Sequence, residues 1–258
     1  MPYENEVFTD RTIPTVLDHE EIGGNIAASY RMIAAKYRSD DEIEITTDHH
    51  RHLKEILSTI TSSFGRPVSA LDLGCGTGRY FHCLNNITHL TGIDICEEML
   101  RIAENPVRQG DITIKDVQLR CANAHLVSFP SRSFDFIYSL GMFGNGCPVT
   151  VEICNNFYDW LKPGGKLFFD AVDILTLPRA RRIRRRIRKT IYPFLPKTLQ
   201  ISLDMREGNV PFCGLSKSEL LRIMRASHFK SFSATSQKCI SPLWRGYHLE
   251  CTASKPVR

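Results

Sequence analysis

No two of the nine cysteines form a C-x-x-C pair, and that absence removes the ligand spacing on which zinc sites usually rest. They are scattered from Cys75 to Cys251, whereas a secreted disulfide framework is usually shorter and denser. The expectation is reduced thiols serving as small core residues, with neither a metal nor a disulfide. No apolar run approaches the roughly 20 residues that span a bilayer. The opening MPYENEVFTD lacks the basic start and apolar core of a secretory signal, so the cytoplasm is the expected location. Internal repeats and low-complexity tracts are missing too.

Acids are missing from one stretch. Arg179 to Lys189 holds eight basic residues and no carboxylate, so the rest of the chain carries about −3 against the overall +5. Residues 1–48 are rich in acids, among them Glu4, Asp10, Glu20 and Asp40. Such a near-neutral body with one cationic segment is not a uniformly basic nucleic-acid binder.

What is present is alternation. Residues 25–38 and 49–63 read as helices, the first capped by Asn25, the second carrying Leu53, Ile56, Leu57 and Ile60 at helical spacing. From Val68 short apolar strands alternate with amphipathic segments: SALDLG, HLTGID, residues 117–121, FDFIYSL and KLFFDAV. That alternation predicts a parallel sheet covered on both faces. Ser216 and Glu219 make a capping box ahead of ELLRIMRAS, and SFSATSQ and YHLECTAS predict a closing strand pair. The expected organisation is an acidic segment and helical lid over 1–66, a core over 67–174, a basic cap insertion over 175–212, and a returning helix and strands over 213–258.

Leu71 to Gly78 (LDLGCGTG) follows a strand and precedes the helix-like RYFHCLNN. Its glycines permit a sharp turn and close approach of a ligand to the backbone. Asp94 ends the next strand, where a carboxylate can bind two ribose hydroxyls. Cys121-Ala122-Asn123-Ala124 and the turn Lys162-Pro163-Gly164-Gly165 come after it in order. The G-x-G-x-x-G spacing of NAD and FAD sites is not matched, because the third glycine comes one residue early.

This ordered set resembles the class I S-adenosylmethionine (SAM)-dependent methyltransferases, especially the small-molecule group with the ubiquinone and menaquinone enzymes. The resemblance implies a Rossmann-like, doubly wound α/β fold with seven mostly parallel strands. It implies SAM as cofactor and S-adenosylhomocysteine as product. Asp72 and the loop Gly74, Cys75, Gly76 and Gly78 would hold the methionine part, Asp94 the ribose, and Ile95, Met99, Asn123 and Ala124 the adenine. Asn123 replaces the aspartate common in relatives. Tyr30 and Tyr37 lie on the lid helix, and Tyr30 is the candidate to fold over the methionine part.

The segment Ser139 to Gly146 after the fourth strand usually borders the acceptor, which makes Ser139 a cofactor-side and Met142 and Phe143 acceptor-side candidates. No Asn/Asp-Pro-Pro-aromatic motif, paired glutamates, Pro-Cys dipeptide or acid near Ser139 points to amino-methylation of nucleic acid, arginine, cytosine-C5 or metal-assisted catechol chemistry. Methyl transfer needs chiefly orientation. Tyr30, His49 and His248 are the candidate proton acceptors; His49, His50 and His52 are all possible bases but read first as a solvated helix start. Pro178 to Tyr192 predicts a helix with a stripe of Ile183, Ile187 and Ile191, a surface for an anionic membrane or an acidic substrate. The expected function is methyl transfer from SAM to a small or amphiphilic acceptor at O, N or C. Alternatives are RNA or protein methylation recruited by residues 179–189, and a non-catalytic SAM-binding subunit or sensor.

Overall fold

A computed structural model describes residues 16–144, 146–183 and 212–257. Its centre is a seven-stranded sheet ordered β3-β2-β1-β4-β5-β7-β6. The strands are β1 (Val68–Leu73), β2 (Ile87–Asp94), β3 (Asp116–Cys121), β4 (Phe134–Phe143), β5 (Leu161–Val172), β6 (Ser231–Ile240) and β7 (Arg245–Ser254). The first five pair in parallel, and β7 runs antiparallel between β5 and β6. Strand order therefore reverses between β1 and β4, which leaves a crevice at their carboxyl ends.

The helices are α1 (Val16–Glu44), α2 (Asp48–Ser62), α3 (Glu97–Ala103), α4 (Val151–Trp160) and α5 (Lys217–Ala226). Leu53 and Leu57 of α2 pack with Phe81, Leu90, Phe136 and Tyr138 on one face of the sheet. Ile153, Phe157 and Trp160 of α4 pack with Leu220 and Met224 of α5 and with Phe143, Phe169 and Leu249 on the other. The α5 capping box is formed, with Ser216 and Glu219 bonding each other's backbone N–H.

Three expectations need correction. Helix α1 starts nine residues before Asn25, so Asn25 is not its cap. The segment after the glycine loop is no helix but a single 3₁₀ turn, Phe81–Cys83. Aromatic, His, Cys and Asn residues are weak helix formers, Asn86 takes φ +57°, and β2 begins at once at Ile87. Beside this turn lies a cleft of about 410 Å³ lined by Phe81, Ala103, Pro106 and Leu119. The histidines opening α2 are not a solvated start either: His50 is buried, and His52 lies 2.9 Å from Glu250 of β7.

The KPGG turn sits at the opposite edge from the glycine loop. There Lys162 Nζ and Arg66 donate to buried Asp135 at 2.8 and 2.7 Å, so this turn fastens the sheet. The nine cysteines are all free, six of them buried. The expected cap helix is described only from Arg179 to Ile183, and the rest of the cap, residues 184–211, lies outside the described residues.

Candidate functional site

At the carboxyl end of β1 the chain turns through Gly74, Gly76 and Gly78 with φ of +81°, +53° and +75°, where any side chain is strained. The N–H groups of Gly74 and Cys75 both donate to the Ile93 carbonyl, at 2.7 and 2.9 Å, which fastens the loop to β2. A Cβ on Gly74 would lie 2.8 Å from Met142, whereas Gly76 faces open space. Gly76 is thus the point at which a ligand can reach the backbone.

Asp94 closes the loop from below. Its two carboxylate oxygens accept from Gly76 N at 2.8 Å and Cys96 N at 2.9 Å. Asp72 is buried, and burial first, with the Asp94 carboxylate next among the raising influences, pushes it up to about 8. Tyr138, its register partner on β4, works the other way, although its buried hydroxyl has no hydrogen bond of normal geometry. An acid of this kind gains charge when a cation arrives beside it.

Helix α1 lies across this edge. At one end the backbone of Gly23 comes so close to Asn123 and Ile95 that a Cβ there would sit 2.8 and 2.9 Å from their side chains. Further along, Ala34, Tyr30 and Tyr37 pack with Cys96 and Met99 of α3, and Arg31 pairs with Glu98 at 2.8 Å. At the other end Asp41, fully buried, accepts from Thr77 Oγ1 and Arg79 Nε, both at 2.5 Å. The sequence alone does not reveal Asp41 and Arg79, because no local spacing points to a pair 38 residues apart.

Beyond the glycine loop a second group gathers at the ends of β4, β5 and β7. Asp170 is buried and accepts from Gly141 N at 2.7 Å; burial pushes it up to about 7. His248 Nδ1 lies 3.4 Å from Asp170 Oδ2, at ion-pair distance without hydrogen-bond alignment. The His49 ring stacks on His248 with centroids 5.3 Å apart, and Trp244 covers His248 at 4.2 Å. Burial pulls both histidines down to about 4, so both are neutral bases at neutral pH.

The predicted residues divide accordingly. Asp72, Gly74, Gly76, Gly78 and Asp94 come together at one crevice, with Ile95, Met99 and Asn123 along α1 and Ala124 next in the chain. Cys75 turns its thiol inward, toward Gly92 of β2, so it offers the crevice only backbone. Tyr30 packs edge-on against Tyr37 at 5.7 Å over α3, not over the glycine loop. Two candidates are structural. Ser139 is fully buried and donates to the Leu73 carbonyl at 2.7 Å, bridging β4 to β1. Phe143 is buried against Phe169 and Phe157, because β4 continues to it and turns it into the core. Met142 packs on Gly74.

Residues 70–165 match the methyltransferase domain family. That stretch of the chain is thus a methyltransferase domain. It is 26% identical over 177 residues to a demethylmenaquinone methyltransferase of Listeria welshimeri, covering 66% of this chain and 73% of the relative. A match to the Listeria monocytogenes counterpart, 30% identical over 123 residues, covers 46% of this chain and half of that relative. The solved structure of the DhpI complex with S-adenosylhomocysteine superposes with a TM-score of 0.60 at 17% identity, over 93% of this chain and 99% of that one. The cofactor of the domain is SAM. The open backbone at Gly76 and the acids Asp94 and Asp72 fit a ligand with ribose hydroxyls and a cationic end. No helix among the described residues is long and apolar enough to cross a membrane.

Proposed function

We propose that this enzyme methylates a hydroxyl-bearing ring of a small, amphiphilic, quinone-related acceptor, with His248 taking the acceptor's proton. The observation that carries this reading is the His49–His248–Asp170 group at the sheet end that also bears the glycine loop, with Asp170 bonded to Gly141 of β4, the strand beside β1. Ring hydroxyls are weak nucleophiles while protonated. Their oxygen, and the ring carbon beside it, attack a sulfonium methyl readily once the proton has gone. A base next to the methyl therefore serves O- and C-methylation alike. His248 presents Nδ1 to Asp170, which leaves Nε2 for the acceptor, and Asp170, pushed up to about 7 by burial, stabilises in its ionised form the imidazolium that forms. Orientation does the rest of the work. The names of the relatives support the acceptor class. The basic segment Arg179 to Lys189, of which residues 184–189 lie outside the described residues, would meet an anionic membrane surface carrying such an acceptor.

The test is transfer of labelled methyl from SAM into a cell extract separated into small molecules, lipids, RNA and protein. The expected result is label in the lipid or small-molecule fraction. His248→Gln should lower the rate by about 10²–10⁴-fold while SAM still binds. Label confined to RNA or protein, or full activity of His248→Gln, would overturn the reading.

A further inference from the structure

A second histidine group lies under the glycine loop, apart from the crevice. His50 Nε2 of α2 and His82 Nε2 of the 3₁₀ turn stand 3.3 Å apart. Cys83 Sγ lies 3.7 Å from the first and 3.6 Å from the second. These three edges have a chemical meaning. Two imidazole nitrogens at about 2.0–2.1 Å and one thiolate at about 2.3 Å from a tetrahedral zinc ion stand about 3.3 Å (N···N) and about 3.6 Å (N···S) apart. The triangle seen here has those sides. We propose that His50, His82 and Cys83 form a zinc site, with the fourth tetrahedral position open to water.

The surroundings suit it. His50 and Cys83 are buried, and His82 is half-buried, which gives the metal a way in. The two ring planes lie 18° apart with centroids at 5.3 Å, and the Tyr80 ring runs nearly parallel to His50 at 5.3 Å. Burial holds both imidazoles in the neutral form that binds metal. The site also answers a structural need. A full helix is missing after the glycine loop, and the short turn Phe81–Cys83 is held by turn hydrogen bonds to Gly78, Tyr80 and Phe81 and by the burial of Phe81 and Cys83. A metal bound by His82, Cys83 and His50 would staple that turn to α2. Sequence spacing gives no hint of it, because Cys83 adjoins one ligand and lies 33 residues from the other, without the C-x-x-C pattern.

The full chain, stripped with a chelator, would be titrated with zinc against a chromophoric chelator, and with cobalt(II) as the spectroscopic probe. One tight equivalent is expected, with the intense visible absorption of tetrahedral cobalt and a thiolate-to-metal charge-transfer band. Cys83→Ser should abolish the charge-transfer band, and His82→Gln, at a half-buried position that tolerates change, should weaken zinc binding about tenfold or more. His49→Gln should leave the titration unaltered. No binding above that of a His82→Gln/Cys83→Ser double variant would show a hydrogen-bonded triad and overturn the proposal. Loss of binding in His49→Gln but not in His82→Gln would equally overturn it, since the metal would then sit on His49, Cys239 and His248.

Discussion

Removing the Asp41 carboxylate tests whether α1 is clasped to the glycine loop or merely rests on it. Asp41 is fully buried, and it receives both the Thr77 hydroxyl and the Arg79 guanidinium, whose side chain is only 21% exposed. Asp41→Ala leaves that guanidinium buried without its counter-charge, a loss of about 3–5 kcal/mol. For a protein of this size that lowers Tm by roughly 6–20 °C. The double variant Asp41→Ala/Arg79→Met should recover much of the loss, because an apolar replacement of a buried ion pair is often close to neutral. Urea unfolding of the four proteins gives the coupling energy, and calorimetric titration with SAM shows whether the loop loses affinity along with the clasp. A single variant that costs under about 1 kcal/mol would refute the argument. So would a double variant that costs the sum of the two singles.

Gly74→Ala should destabilise by about 1–3 kcal/mol from its positive φ alone, and more from overlap with Met142; adding Met142→Ala should return only the overlap part in urea unfolding. Asp94→Ala removes acceptors for Gly76 N and Cys96 N and the carboxylate expected to bind the ribose; at about 1.5–3 kcal/mol per charge-assisted bond, SAM affinity should fall roughly 100-fold or more, measured by calorimetry. Stability should peak near pH 6.5. His49, His50 and His248 have folded values near 4, 3 and 4 against 6.5 unfolded, so the unfolded chain binds more protons there and their effect raises stability up to about pH 6.5. Asp170 and Asp72, at about 7 and 8 against 3.8, hold protons only when folded, and stability falls as pH rises through those values. A thermal melting series from pH 5 to 9 without a decline above pH 7 would contradict the burial of these acids.

The sheet was legible in the sequence because its cause is local. Apolar strands from Val68 to Val172 repeat, and glycines sit where the backbone must take positive φ. Asp94 falls at the end of β2 because strand and loop lengths leave it nowhere else. Ser216 and Glu219 announce α5 by a pattern only four residues long. The misreadings arise where a side chain's surroundings are set by distant chain. Ser139 and Phe143 lie in the right strand, but β4 is buried on both faces through Leu140, so the sequence does not show which way each side chain points, and the hydroxyl goes to Leu73 and the ring into the core. His49, His50 and His52 look solvated from their own neighbours, Asp48 and Arg51. It is β7 and the turn after the loop, far along the chain, that bury or pair them.

Helix α1 shows the same conflict resolved in favour of tertiary contact. Propensity argues for a break at Gly23-Gly24, each glycine costing about 1 kcal/mol in a helix interior, and so favours a start at Asn25. The chain instead keeps one helix through both, because only glycine lets the backbone approach Asn123 and Ile95 so closely. Keeping the rod unbroken couples its two ends. Gly23 and Asp41 are 18 residues, about 27 Å, apart along it, and so contacts at the Asn123 end are mechanically continuous with the Asp41 clasp on Thr77 and Arg79. Gly23→Ala, which obliges Asn123 or Ile95 to shift, should therefore slacken the clasp as well. Amide exchange in the turn Phe81–Cys83 should rise in that variant. If exchange rises only around Asn123, α1 is two segments in energy although one in shape.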